Sequence, residues 1–468
     1  MRDGMLRPDF ARPDTTSDAP WGPTVGRGYN RCMLPNPKQP SAAAATSHTC
    51  PFCGLLCDDV VVAPSGSGAV NVSERGCELS RAGFARQSAP GRDAPRVNGS
   101  EASFQQAVSA AARILDRAVQ PLIGGLATDV AGMRAAVELA DRCGAVLDHA
   151  NSPAKFRNLL AFQDRGGITT TLAEVRNRAD VLVIVGTDAV SRFPRFFERI
   201  AAPGGTLFGL KDSERRSIFV GSKPPPDAPG RSDWIPCDRA ELPDVLGALA
   251  ALAAGVRLDA TQAGSVPIAR LHEVSDAMRS ARYGVLVWAA ADLDFPHAEL
   301  TVHAMQHMLA TLSRTTRFSG LPLGGNEADL TADAVLLWQV GFPFRTSFAS
   351  GRADYDPYLF DARRLLARHE VDALLWISTL SDVPVPAPAD ASGGPPLIPP
   401  LILLAGPNAA QSERAAVFFP VATPGIDHAG HLVRTDKVLT LRLTATRPSE
   451  RASCARILRA ICEELHGC

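Results

Sequence analysis

Four cysteines carry the most specific chemistry in this sequence. Cys50, Cys53 and Cys57 stand as C-x2-C-x3-C, and Cys77 follows in the next stretch of chain. The turns Pro51-Phe52 and Gly54-Leu55-Leu56 bring three thiols round one loop, and a fourth from a neighbouring helix completes a cage. Four thiolates suit a 4Fe-4S cluster or a zinc ion. The uneven two-then-three spacing favours the iron–sulfur reading, because zinc more often takes paired C-x2-C units. Packed, metal-free thiols are the alternative, and nothing local separates a loaded site from an empty one. Cys143, Cys237, Cys454 and Cys462 are scattered singly and read as small buried apolar residues.

Other motifs carry less. His303 and His307 lie one helical turn apart, with His297 before them, but no H-E-x-x-H glutamate accompanies the three, so they read as ordinary helix-face histidines. The doublets Gly204-Gly205 and Gly324-Gly325 lack the G-x-G-x-x-G order, which leaves a nicotinamide site unsupported. Lys plus Arg total 48 against 49 Asp plus Glu, so no net field draws the chain to nucleic acid or to an anionic membrane. No stretch reaches the ~18 consecutive apolar residues of a membrane-spanning helix. The N-terminus lacks the apolar core of a secretory signal, and a cytoplasmic, reducing home is expected, where cysteines serve as thiols or metal ligands rather than disulfides.

The elements that must position these residues follow from pattern. At 468 residues, two to four lobes are expected. Residues 1–47 are rich in Pro, Ala, Ser and Thr and read as a disordered tail, with Met33 as a second candidate start. Residues 48–100 form a small cysteine-bearing lobe, in which DDVVVAP is a strand and the segment at Cys77 leads into a helix. Residues 101–260 read as a first α/β domain and 261–411 as a second, because short β-rich apolar runs (PLIGGL, VLVIVG, TLFGL, YGVLVWAA, DALLWIS, PPLILLAG) alternate with amphipathic helices. Residues 412–468 read as a strand-rich return segment with a closing helix. The fold class is therefore α/β, multi-lobed, with doubly wound parallel sheets.

The run Cys50-Pro-Phe-Cys-Gly-Leu-Leu-Cys-Asp-Asp59 resembles the opening of the B subunits of formylmethanofuran dehydrogenases, a family within the molybdopterin oxidoreductase superfamily. The likeness extends from Thr49 to about Leu443 and includes Thr170-Thr-Leu-Ala-Glu-Val-Arg-Asn-Arg-Ala-Asp180, Phe193-Pro-Arg195, Leu323-Gly-Gly-Asn326, Val340-Gly-Phe-Pro-Phe344, Glu370-Val-Asp-Ala-Leu374 and Pro424-Gly-Ile-Asp-His428. In the redox enzymes the resemblance implies a 4Fe-4S cluster, here on Cys50, Cys53, Cys57 and Cys77. It also implies a tungsten or molybdenum bis-pterin held by the cysteine of a Cys-His-Gly step. Counting back from Leu172-Ala-Glu-Val175 without gaps places that step on Ala154-Lys155-Phe156. A methyl group cannot ligate a metal, and Phe156 fills the room a glycine leaves for a cofactor.

The resemblance therefore points to a sister group, the B subunits of bacterial formyltransferase/hydrolase complexes. It implies a non-redox, structural role for the chain, alongside an A hydrolase, a C scaffold and a D formyltransferase in tetrahydromethanopterin-linked one-carbon metabolism. A redox-active dehydrogenase subunit is the alternative. Lys155, Arg157, Arg176, Arg178, Arg192 and Arg195 would make a cationic crevice for a methanofuran-like anionic carrier if the loop at Ala154 and the neighbouring strand ends face one another, with Lys155, Arg157 and Arg195 as its contacts. Solvated surface cations paired with Glu174, Asp180 and Glu198 are the plainer reading.

Overall fold

The computed structural model describes residues 46–64, 69–221, 231–386 and 399–466. Most of the segment read as a disordered tail, Met33 included, lies outside them. The strand Thr46–His48 overlaps that segment's end and pairs antiparallel with Val60–Pro64, which pairs in turn with Val70–Glu74. These three strands hold the cysteine loop between the first and second. The helix Glu78–Ser88 closes the lobe, and Phe52 packs edge-on against Phe84 with ring centroids 5.1 Å apart. Gly83 is required there: a Cβ would lie 2.4 Å from the Phe52 ring.

Two parallel-rich sheets make the body. The first has nine strands, in the order Asp354–Tyr355, Thr346–Ser347, Val146–Leu147, Pro121–Ala127, Ala373–Ser378, Leu401–Ala405, Val417–Pro420, Arg96–Val97, Ser100–Glu101. Its five central members, from Val146–Leu147 to Val417–Pro420, run parallel, and the flanking pairs are antiparallel. Period-two side chains divide its faces: Leu375 and Ile377 enter the core beneath the helices Phe104–Arg117, Val130–Cys143 and Cys454–His466, while Leu374 and Trp376 enter the opposite core with Leu365 of the helix Ala362–Ala367. Burial on both faces is why these strands read as unbroken apolar runs.

The second sheet has five parallel strands, in the order Arg231–Ile235, Arg216–Val220, Val181–Val185, Gly284–Ala289, Phe318–Leu323. One face packs on the helices Leu242–Ala253, Ile268–Ser280 and Ala298–Leu312. The other, through Leu182, Ile184, Val285 and Leu321, shares a core with Cys50, Cys53, Leu55 and Cys57. The cysteine lobe is thus fastened to this sheet.

The sheets do not follow the contiguous division at residue 260. The chain lays down 96–147 in the nine-stranded sheet, builds the whole five-stranded sheet from 181 to 323, and then returns to complete the first with 346–420. Strand Val417–Pro420 of the return segment belongs to that same sheet, and the closing helix docks on its first helices, with Ser109 Oγ donating to Glu464 at 2.5 Å. Local periodicity marks strands without saying which sheet each joins, so this excursion leaves no trace in pattern. TLFGL also differs: Thr206–Leu210 is a turn in which Leu207 is 82% and Phe208 60% exposed, and Arg216–Val220 is the strand instead. Among the described residues no helix is long and apolar enough to cross a membrane.

Candidate functional site

The cysteine loop closes on itself. Cys50 N donates to Cys57 O at 2.8 Å and Leu56 N to Cys53 O at 3.1 Å, with Leu56 in the left-handed region at φ 46°. Cys50, Cys53 and Cys57 are buried, and half-buried Cys77 caps the helix Glu78–Ser88, its sulfur accepting from Ser80 N at 3.5 Å. Burial pushes the Cys50 thiol well up and that of Cys53 up to about 12, and the negative charge of the neighbouring cysteines adds to both shifts. Cys57 is also raised by burial, but Arg199 and Arg195 oppose the shift. Arg195 grips Asp59 with two bonds of 2.7 and 2.9 Å, and Arg199 reaches Asp59 at 2.8 Å and Asp58 at 2.7 Å. Burial works to raise Asp59, and these two arginines more than offset it.

Cys50, Cys53 and Cys57 share one closed loop, charge on Cys57 and Cys77 adds to the upward shifts of Cys50 and Cys53, and Arg195 and Arg199 stand beside Cys57; thiolates are the donors an iron–sulfur cluster takes. Metal binding would displace the protons that burial otherwise holds on the sulfurs.

Gly54 in the same loop touches the wall of a cavity. Its carbonyl accepts from Thr435 N at 2.8 Å, and Thr435 Oγ1 accepts from Gly324 N at 2.9 Å. The cavity, of about 330 Å³, opens at the carboxyl ends of Gly284–Ala289 and Phe318–Leu323, where parallel sheets bind ligands. Lys155, Asp329, Asp436 and Lys437 supply its charged groups, and Phe162, Leu321, Leu323 and Leu330 its apolar wall.

Ala154, Lys155 and Phe156 are not in a loop. They lie in the first two turns of the helix Ser152–Arg165, whose second residue is Pro153. Lys155 Nζ donates to Asp333 Oδ2 at 2.6 Å, and Lys437 Nζ donates to the same oxygen at 3.1 Å. Asp333 is buried on the helix Asp329–Val340. Burial works to raise its pKa, yet the two ammonium groups hold it below the usual carboxylate range. Phe156 stacks on Tyr355 at 6.3 Å, and the Arg345 guanidinium lies 4.1 Å over its ring. A methyl group, an ion-paired ammonium and a stacked ring offer a pterin-bound metal neither a ligand nor room, so these residues do not fit that group.

The six cations are not gathered in one crevice. Only Lys155 of the six lines the cavity. Arg157 is anchored near it by Ala290 O at 2.8 Å and by Asp294. Arg176 donates to Arg199 O, Arg178 pairs with Glu174, Arg192 with Asp292, and Arg195 serves the cysteine lobe. Each has its own partner within reach, which holds them apart. His303 bonds Asp164 at 2.5 Å, and His297 is exposed beside Glu299. Among the described residues no group of three or more His, Cys, Asp or Glu side chains is arranged to hold a metal ion.

Three groups at the cavity and its surroundings carry little signal that sequence reasoning uses. Lys437 lies far along the chain from Lys155 and only the fold joins them. Asp329, bonded to Gly325 N at 2.7 Å, is pushed up to about 7 by burial and by Glu327. His149, stacked on Phe344 at 5.1 Å and held by Asn151 N and Glu327 O, is pulled down to about 4 by burial and stays neutral. The one hint of His149 is its place at the end of a strand-like run, AVLDH.

No family model matches the chain. It is 28% identical over 398 residues, 83% of this chain and 91% of the relative, to the B subunit of tungsten-containing formylmethanofuran dehydrogenase 2 of Methanocaldococcus jannaschii. It is 30% identical over 373 residues, 79% of this chain and 97% of the relative, to the B subunit of the formyltransferase/hydrolase complex Fhc of Methylorubrum extorquens. Among solved structures, the formyltransferase/hydrolase complex of M. extorquens with methylofuran superposes at a TM-score of 0.67 and 29% identity, covering 80% of this chain and 99% of that one. Acetylene hydratase of Pelobacter acetylenicus, at 9% identity and a TM-score of 0.58 over 90% of this chain and 69% of that one, shares the fold alone. With the cysteine loop, the molybdopterin-oxidoreductase-like body and this coverage in agreement, the chain belongs to the family of B subunits found in formylmethanofuran dehydrogenases and formyltransferase/hydrolase complexes.

Proposed function

We propose that this chain is the B subunit of a formyltransferase/hydrolase complex and works there as a scaffold without redox chemistry, in tetrahydromethanopterin-linked oxidation of formaldehyde to formate. One observation carries the reading. Where the redox relatives are expected to hold their metal through a thiolate, this chain has Ala154 at the start of a helix, with Lys155 tied to Asp333 and Phe156 packed into the core. A cluster at the cysteine loop would have no pterin metal to exchange electrons with.

The partners implied are an A hydrolase, a C scaffold and a D formyltransferase, in the cytoplasm. The adjoining exposed side chains Leu337 and Trp338, and Tyr358 and Leu359, offer apolar surface of the kind that contacts between subunits cover. Cys50, Cys53, Cys57 and Cys77 would hold a 4Fe-4S cluster, which when bound supplies a rigid four-point brace and a one-electron centre. The brace would clamp the loop that Gly54 presses against the cavity wall. Of Lys155, Arg157 and Arg195, the suggested contacts for a methanofuran-like carrier, Lys155 alone stands at the cavity.

Affinity purification through this chain under anaerobic conditions, with metal analysis, tests the proposal. Three co-purifying partner chains, about four Fe per chain and no tungsten or molybdenum are expected. Stoichiometric tungsten or molybdenum would make the chain part of a dehydrogenase.

A further inference from the structure

The cavity beside the cysteine loop keeps a charge imbalance that the scaffold role does not use. Two ammonium groups, Lys155 and Lys437, share one oxygen of one carboxylate, Asp333. The other acids nearby do not make up the difference. Asp436 is held by Arg434 at 2.7 Å and by Leu172 N at 3.0 Å. Asp329 gives one oxygen to Gly325 N, and burial keeps it partly protonated at neutral pH. Glu327 does not line the cavity and is held by the Asn151 amide at 2.8 Å. Each ammonium carries three donors, and both lysines line the cavity.

The rest of the wall describes the ligand's body. Phe162, Leu321, Leu323 and Leu330 are apolar, and Asn158, whose oxygen is taken by Trp288 Nε1 at 2.8 Å, keeps its amide hydrogens for a polar atom. The volume of about 330 Å³ lies at the lower end of the range that holds small organic ligands, roughly 300–1,000 Å³. The lining lysines outnumber the Asp333 carboxylate they share by one, a balance that matches one negative charge better than two.

We propose that this cavity binds an organic monocarboxylate, with its head at the ammonium groups of Lys155 and Lys437 and its apolar body against Phe162, Leu321, Leu323 and Leu330. The carboxylate belongs to a free acid or ends a longer molecule that enters past Lys437, whose side chain is 48% exposed.

Calorimetric titration of the full chain, or of the complex in which it is isolated, tests this with hexanoate, phenylacetate, neutral phenylacetamide, formate and N-octanoylglycine. One hexanoate or phenylacetate per chain is expected, with phenylacetamide and formate each weaker by about tenfold or more. Lys437→Met should weaken hexanoate by about tenfold or more while leaving the melting temperature nearly unchanged, and Lys155→Met provides a second, more buried variant. N-octanoylglycine binding as well as hexanoate assigns the tethered source, and its exclusion assigns the free acid. The proposal is overturned if no carboxylate binds at millimolar concentration, if phenylacetamide or formate binds as well as hexanoate, or if a folded Lys437→Met chain binds hexanoate unchanged.

Discussion

Gly54 and Gly324 meet so closely that a Cβ on Gly54 would lie 1.8 Å from the Gly324 carbonyl oxygen. The loop bearing Cys50, Cys53 and Cys57 and the loop that ends the strand Phe318–Leu323 are in contact backbone to backbone, with Thr435 bonded to both. Any side chain at position 54 must push the cysteine loop away from the cavity. Gly54→Ala is therefore expected to destabilise by roughly 1–3 kcal/mol, the usual cost of overpacking. Urea unfolding of the metal-free chain measures it. Wild-type stability in that variant would mean that the two loops separate freely.

The Asp333 carboxylate neutralises two ammonium groups from inside the fold. Removing it leaves both lysines without their anion, so Asp333→Ala should cost about 3–5 kcal/mol, the range for breaking a buried pair from one side. The double variant Asp333→Leu with Lys155→Met should recover most of that loss, because an apolar pair of similar volume needs no counter-ion. Chemical denaturation of Asp333→Ala gives the loss, and that of Asp333→Leu, Lys155→Met and their combination gives the coupling.

Phe156 occupies the place where the resemblance to redox relatives calls for glycine. It is 4% exposed in the core beneath the nine-stranded sheet, stacked on Tyr355 and covered by Arg345. Phe156→Ala should cost about 3–5 kcal/mol and should not confer tungsten or molybdenum binding, since Ala154 still offers no ligand. Denaturant midpoint and metal content of the purified variant check the two halves separately.

Much of this architecture is legible in the sequence because local pattern and tertiary role coincide. The runs VLVIV and ALLWI are apolar throughout since both faces of their strands are covered. Cys50, Cys53 and Cys57 are legible as one loop because of their short spacing. The excursion from the nine-stranded to the five-stranded sheet and back is not legible, since no local residue encodes which sheet a strand joins. Thr206–Leu210 misleads because Leu and Phe in a short run look like a strand, although Gly204, Gly205 and Gly209 break it into turns. In the candidate site, position 154 can be located by resemblance, while the Lys155–Asp333–Lys437 arrangement joins distant parts of the chain.

Asp329 makes the pH dependence of this cavity testable. Burial, with Glu327 adding to it, pushes its carboxyl up to about 7, against ~3.9 in an unfolded chain. Between those values the folded protein holds a proton that the unfolded chain has lost. This group's contribution to stability is therefore fully present below about pH 4 and is lost as pH rises through about 7. Asp329→Asn keeps an oxygen for Gly325 N and has no proton to lose, so it escapes that decline. The variant should match the wild type near pH 4, gain on it steadily up to pH 7 and hold a constant lead above, with a ceiling of about 4 kcal/mol at roughly 1.4 kcal/mol per pH unit. The comparison of one variant with its parent removes the contributions of the other groups that titrate over the same range, His149 and Asp148 among them. Urea unfolding of both chains at pH 5, 6, 7 and 8 gives the curve, and a flat difference would show that Asp329 is ionised in the folded protein throughout.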